Sequence, residues 1–307
     1  MHHRPDIVLI SLDCVRPDFL GCYGCHAVRT PHLDRMAARG VVFDLAVSQA
    51  PNTWVSHAGI FTGCYPPVHG LRSPYDAILE DVPTLAGILQ SCGYTTAGFP
   101  GNDLVGSRMG FARGFDLFFE EYRDRPTQRE PGDFPAGAAP GNEASTGVSA
   151  NTRNDWEEVL EAAAGWLSRE KEPVFLWLHY LETHHLPDLL LPELFRFSRD
   201  PSWQFYEGKI SYADERCVAA VVEMLRRQGR YDTALIVVLS DHGEGLWPGR
   251  APQHNGELTD DVIRVPLILF GESLPFRGVR VEGQVRTADL APTLASLAGL
   301  KGSSAGL

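Results

Sequence analysis

The chain has 307 residues, 44% of them apolar, with a formal net charge of −12 and a pI of about 5.3. That length supplies one large α/β domain, or two small ones, with a sizeable core. The acidic balance excludes the basic face that broad nucleic-acid binding needs. It leaves room for a small anionic substrate, because a metal ion and a few local cations invert the field inside a cleft. No stretch approaches the roughly 20 apolar residues of a membrane span, so stable membrane insertion is not expected. Met1 to Asp6 is short and polar, and the run after it is strand-sized, without the longer apolar core of a signal peptide. The expectation is a cytoplasmic protein.

In chain order, Ile7 to Leu12 is the first strand and ends in Asp13. Cys22-Tyr23-Gly24-Cys25-His26 matches the C-x-x-C-H pattern of haem attachment. With no export signal and no second C-x-x-C, it is expected to be a tight turn carrying neither haem nor zinc. The six cysteines do not suggest a disulfide scaffold in a chain of this length. A helix opens at Thr30-Pro31, with Thr as N-cap and Pro in the first turn, and stops at Gly40. Val41 to Val47 follows as a strand, Ser56 to Thr62 and Val82 to Cys92 as helices, and Tyr94 to Phe99 as a strand. Arg123 to Asn154 is rich in Pro, Gly, Ser and charge and lacks periodicity, so a long irregular insertion is expected there. Asp155 to Arg169 places Trp156, Val159, Leu160, Ala163 and Leu167 on one helical face. Val174 to His179 is an apolar strand, Tyr206 to Arg227 a long helix, and Ala234 to Leu239 and Val265 to Phe270 are buried strands. Alternating strands and helices favour a mostly parallel sheet covered by helices. No internal repeat or linker appears, so a single domain over 1–307 is predicted.

Three strands deliver hard ligands at their carboxyl ends, where parallel α/β sheets place their sites. The first delivers Asp13. Ala234 to Leu239 delivers Ser240-Asp241-His242-Gly243-Glu244, and Val174 to Leu178 delivers His179, then Glu182, His184 and His185. Two carboxylates and an imidazole suit one divalent ion, and the mixture does not choose among Zn, Mn, Mg and Ca. Taken singly, Asp13 could serve as a helix cap, the DHGE run as a solvated turn, and His184 and His185 as surface residues. Thr53 lies where a loop enters a helix, so its hydroxyl sits where anions bind, or is an ordinary N-cap.

Four segments are similar to the sulfatase-like branch of the alkaline phosphatase superfamily. They are "DIVLISLDCVRPDFLGCYG", "TPHLDRMAARGVVFDLAVSQAPNTWVSHAGIFTGCYPPVHG", "FLWLHYLETHH" and "YDTALIVVLSDHGEGL", the last continued by "HNGELTDDVIRVPLILF" and "TADLAPTLASLAGL". The resemblance implies a three-layer α/β sandwich with a mostly parallel central sheet, and a hydrolase acting on phosphoric or sulfuric esters. It implies Asp13, Asp241 and His242 as metal ligands, with Thr53 at the nucleophile position and touching the same metal. His57 falls at the Arg of the sulfatase C-x-P-S-R motif. His184 falls at a substrate-binding His, and His254 at a Lys or His near the leaving group or the transferred group. Arg16 and Asn102 join His184 as substrate-binding positions.

Two departures bear on the substrate. Sulfatases oxidise a Cys or Ser to formylglycine, and Thr53 cannot become that aldehyde, so none is expected. Cys14 stands where many sulfatases have a second ligating Asp. A Thr nucleophile with an Asp, Asp, His set resembles the superfamily's phosphodiesterases and phosphoglycerol transferases, which points to a phosphate mono- or diester cleaved or transferred at one metal. The alternatives are a sulfuric ester hydrolase and a degenerate member that binds an anion or a partner. The family usually continues past "LAGL" into a smaller subdomain. Only Lys301 to Leu307 remain here, so that subdomain is expected to be absent or truncated.

Overall fold

The computed structural model describes residues 4–120, 156–171, 173–184, 201–246, 254, 256–271 and 274–300. The predicted insertion at 123–154, His185 and the stretch 186–200 lie outside them.

Eleven described strands form two sheets: β1 (Ile7–Leu12), β2 (Val41–Phe43), β3 (Ala46–Val47), β4 (Thr95–Phe99), β5 (Leu117–Phe118), β6 (Val174–Tyr180), β7 (Leu235–Ser240), β8 (Arg264–Val265), β9 (Leu267–Phe270), β10 (Val279–Val281) and β11 (Val285–Arg286). The main sheet has eight, ordered β10-β2-β9-β7-β1-β6-β4-β5, and the small one three, ordered β11-β3-β8. In the main sheet only β9 runs against its neighbours. The longer helices are α1 (Pro31–Arg39), α2 (Thr53–Thr62), α3 (Leu85–Ser91), α4 (Trp156–Leu167), α5 (Pro201–Tyr212), α6 (Ala219–Arg227) and α7 (Leu290–Leu297). They cover both faces, as the three-layer expectation required.

The period of two in β1 sorts its side chains between two cores. Val8, Ile10 and Leu12 pack with α1, α4 and α6, while Ile7 and Leu9 pack with α2, α3 and α7. In the same register, Phe175 and Trp177 of β6 and Leu235, Val237 and Leu239 of β7 join the α2 side. Ser11, Asp13, His179 and Asp241 continue those odd-numbered rows towards α2.

Several expectations need correction. The strand at 41–47 is two strands, and so is the one at 265–270. Pro266 has no N–H for the ladder, and the break falls there: β9 pairs with β2 in the main sheet, β8 with β3 in the small one. Thr30 flanks α1, but its side chain does not cap it. Its hydroxyl accepts from Gly21 N–H and donates to Asp34 instead. The cap comes from a distant residue, Asp214, whose carboxylate accepts from His32 N–H (3.0 Å) and Leu33 N–H (2.7 Å). The long helix at 206–227 is α5 and α6 joined by one wider π-type turn, Ala213–Val218, which carries Asp214. Finally, α2 begins three residues earlier than predicted.

Candidate active site

Register builds the site. Leu12 pairs with Ser240 on one side and Tyr180 on the other. The next residues, Asp13 and Asp241, therefore leave adjacent strands in one row at the carboxyl edge. One oxygen of Asp241 is fixed by backbone: its Oδ1 accepts from Cys14 N–H (3.2 Å) and His242 N–H (2.9 Å). The first of these needs Cys14 in a left-handed conformation, φ 47°, which a side chain with a Cβ adopts at a cost. Tyr206 OH holds the same residue by donating to its carbonyl at 2.6 Å.

The other oxygens face inward. Asp13 Oδ1 and Asp241 Oδ2 are buried and have no hydrogen-bond partner among the described residues. His242 donates Nδ1–H to Gly243 O at 2.9 Å, so Nε2 presents its lone pair, 3.4 Å from Asp241 Oδ2 and 3.7 Å from Asp13 Oδ1. One ligand atom from each of these three residues lies within 4.8 Å of the others. Two orphaned carboxylate oxygens and an aligned imidazole fit a divalent cation. Burial opposes charge on Asp13, but His179, His242 and His184 outweigh it and hold its carboxyl well below the usual range. Burial, then the Asp13 charge, pushes Asp241 up. This is the electrostatic frustration that a cation relieves.

Thr53 is the first residue of α2. Asn52 caps the helix, its Oδ1 accepting from Val55 N–H at 3.2 Å. The Thr53 hydroxyl is thus spared that duty and lies 3.2 Å from His242 Nε2 and 3.5 Å from Asp13 Oδ2.

His57 lies one turn further along, with no exposed surface. Its Nδ1–H donates to Thr53 O at 2.9 Å, and Nε2 faces Ser11 Oγ at 3.1 Å, which in turn accepts from Trp177 Nε1–H at 3.0 Å. Burial, then nearby His179, lowers its pKa well below the usual value, so the ring is neutral at pH 7. His57, His179 and Asp241 form a second group of metal-ligating type, but its protons are in the wrong places. Both nitrogens of His57 are engaged, and His179 Nδ1 accepts from Gly101 N–H at 3.3 Å, which puts its proton on Nε2.

Of the other sequence-named residues, His254, His184 and Arg16 gather around His242 and Glu244. The His254 ring stacks on His242 at 4.3 Å between centroids and meets His184 edge-on at 5.3 Å. His254 Nδ1 faces the Glu244 carboxylate at 3.2 and 3.4 Å. Lys209 of α5 donates to His184 O at 2.9 Å. Arg16 is held by Asp18 (2.7 Å), by Asp261 (3.7 Å) and by Glu244 O (3.1 Å). Asn102 is buried and uses its oxygen to accept from Leu104 N–H at 3.1 Å. Sequence reasoning gave no role to Ser11 or Trp177, and gave His179 and Glu244 only a place at a strand end. The first three were detectable from strand parity, since they share the rows of Asp13 and Asp241.

The family model described as Sulfatase matches residues 5–300. The chain belongs to the sulfatase family. Among curated sulfatases, it is 25% identical over 329 residues to an ulvan-active sulfatase of Formosa agariphila, covering 97% of this chain and 62% of that one. It is 36% identical over 104 residues to the steryl-sulfatase of Mus musculus, 30% of this chain and 17% of the other. This family member thus spans 62% of the length of the Formosa protein. Among solved structures, the phosphonate monoester hydrolase of Agrobacterium radiobacter superposes with a TM-score of 0.73 at 21% identity, covering 97% of this chain and 74% of that one. That likeness confirms the alkaline phosphatase-like fold. No helix among the described residues is long and apolar enough to cross a membrane.

Proposed function

We propose that this sulfatase-family chain is a metal-dependent phosphoesterase, or phosphoryl transferase, that uses Thr53 as its nucleophile. The observation that carries this reading is the Thr53 hydroxyl, released from capping by Asn52 and lying 3.2 Å from His242 Nε2 beside two orphaned carboxylate oxygens. Asp13, Asp241, His242 and Thr53 Oγ1 would hold one divalent ion, of Zn, Mn, Mg or Ca. When bound, that ion supplies Lewis-acid stabilisation of the threonine alkoxide and of charge on the ester oxygens.

The chain's own residues account for the rest. Thr53 loses its proton to solvent and attacks phosphorus: the Oγ1–P bond forms as the bond to the leaving alcohol breaks. His254 gives the leaving oxygen a proton and then takes one from the attacking water or acceptor alcohol, which releases the phosphoryl group. His184 and the NH2 group of Asn102 bind ester oxygens. His57, neutral and buried under Thr53, positions the nucleophile through its carbonyl and does not offset substrate charge. Arg16, with its charge met by Asp18 and Asp261, shapes the rim.

A Thr53→Ala variant assayed on bis-p-nitrophenyl phosphate, p-nitrophenyl phosphate and p-nitrophenyl sulfate tests this. Loss of phosphate-ester turnover supports it, and unchanged turnover removes Thr53 from the mechanism. The family match and the names of the curated relatives favour a second reading, a sulfuric ester hydrolase. Wild-type activity on the sulfate ester alone would establish that reading in place of the first.

A further inference from the structure

Glu244 has a buried carboxylate, only 7% exposed, that the mechanism above does not use. A buried carboxylate is costly unless it is paired. Local backbone chemistry explains how it reaches the site. Gly243 N–H donates to Val262 O at 2.6 Å, and a Cβ at Gly243 would stand 2.1 Å from Asp261 O. Only glycine permits this approach, which presses the 242–244 segment against the 259–263 turn and fixes the direction of the next side chain. Glu244 then meets His254 Nδ1 with both oxygens, at 3.2 and 3.4 Å. A carboxylate there requires Nδ1 to carry a proton. With Nδ1 turned to Glu244, the proton that His254 exchanges is the one on Nε2, on a ring stacked 4.3 Å from that of His242.

We propose that Glu244 is a positioning residue: it fixes the tautomer and orientation of His254 so that Nε2 serves the leaving oxygen. This deepens the phosphoesterase reading and rests on it. In the first half-reaction Nε2 delivers its proton to the departing oxygen while Nδ1–H stays on Glu244. In the second, Nε2 takes a proton from water as the water oxygen bonds to phosphorus and the P–Oγ1 bond to Thr53 breaks. Glu244 itself exchanges no proton.

The test uses Glu244→Ala, Glu244→Gln, His254→Ala and the Glu244→Ala/His254→Ala double variant on aryl phosphate esters whose leaving phenols range from acidic to weakly acidic. Glu244→Ala is expected to lower kcat on the order of 10- to 100-fold for poor leaving groups, with little loss for dinitrophenol and little change in KM. Glu244→Gln, which keeps an acceptor for Nδ1–H and guards against a folding artefact, is expected to recover part of that loss. The double variant is expected to be no worse than His254→Ala, because two residues acting as a unit do not add. A loss independent of the leaving group, or an additive double variant, overturns the proposal. Nitrogen-15 spectra of His254 give a readout independent of turnover. The neutral ring should protonate at Nδ1 in the wild type and lose that preference in Glu244→Ala, and a wild-type ring protonated at Nε2 overturns the proposal outright. If the wild type cleaves no phosphate ester, the phosphoesterase reading fails while the spectra still decide the role of Glu244.

Discussion

Strand β1 carries a buried aspartate just before its first residue and another just after its last, and the two have opposite surroundings. Asp6 accepts Val174 N–H at 2.9 Å and an Arg230 guanidinium N–H at 2.7 Å, and Arg230 donates onward to the carbonyls of Leu167 and Glu170. Asp13 faces a second carboxylate and keeps one oxygen without a hydrogen-bond partner among the described residues. The same residue type, on the same strand and equally buried, closes its hydrogen bonds at the amino end and leaves them open at the carboxyl end. A satisfied buried charge locks a structure together, whereas an unsatisfied one indicates a ligand to come.

The largest expected effect tests the open end. Asp241→Asn should cut phosphate-ester turnover on the order of 10³-fold, about 4 kcal/mol of barrier. The metal-free protein should melt no lower, because one of two facing carboxylates has lost its charge. Assays with added metal and melting curves in chelator check both halves, and a large drop in melting temperature would erase the contrast with Asp6. At the closed end the pattern inverts. Arg230→Met strands the Asp6 charge and should cost about 3 kcal/mol or more of stability in urea titrations. Turnover per folded molecule should stay within about two-fold, since the site is distant.

The hydrogen-bonded chain Trp177–Ser11–His57 beneath Thr53 sharpens the comparison, because its bonds are closed although it lies against the open end. His57→Leu should lower kcat on the order of 10- to 100-fold with KM little changed. His57→Gln, which keeps a donor for the Thr53 carbonyl, should lose less. The smallest effect concerns Asp214, whose pKa burial pushes up from 3.8 to about 7. The folded state therefore binds this proton more tightly than the unfolded chain does. Its contribution to stability is complete below about pH 4 and is lost as pH rises towards 7. Asp214→Asn should flatten the melting temperature across that window relative to wild type, and an unchanged slope would remove Asp214 as its source.

The meeting of Asp13, Asp241 and His242 was legible in the sequence. Asp13, Asp241 and His242 end apolar runs, and strands of a parallel sheet converge at their carboxyl ends. Asp214 was illegible because it caps a helix more than 180 residues earlier in the chain, and nothing in the Thr30-Pro31 signature says that the cap is supplied from elsewhere. The divisions at 41–47 and 264–270 were hidden because short apolar pieces of two sheets read as one continuous run, although Pro266 was a cue. His57 shows a different limit. Its position in the motif suggested a residue facing substrate, and only the packing of α2 on β1 shows it turned towards Ser11.

Because Asn52 caps α2 one residue ahead of Thr53, the Thr53 side chain has no part in capping the helix. That side chain is interchangeable: serine or cysteine could stand there with the cap, the register and the ligand row undisturbed. A scaffold of this kind separates the residue that starts the helix from the residue that faces the carboxylate pair, so the second can change without a redesign of the architecture.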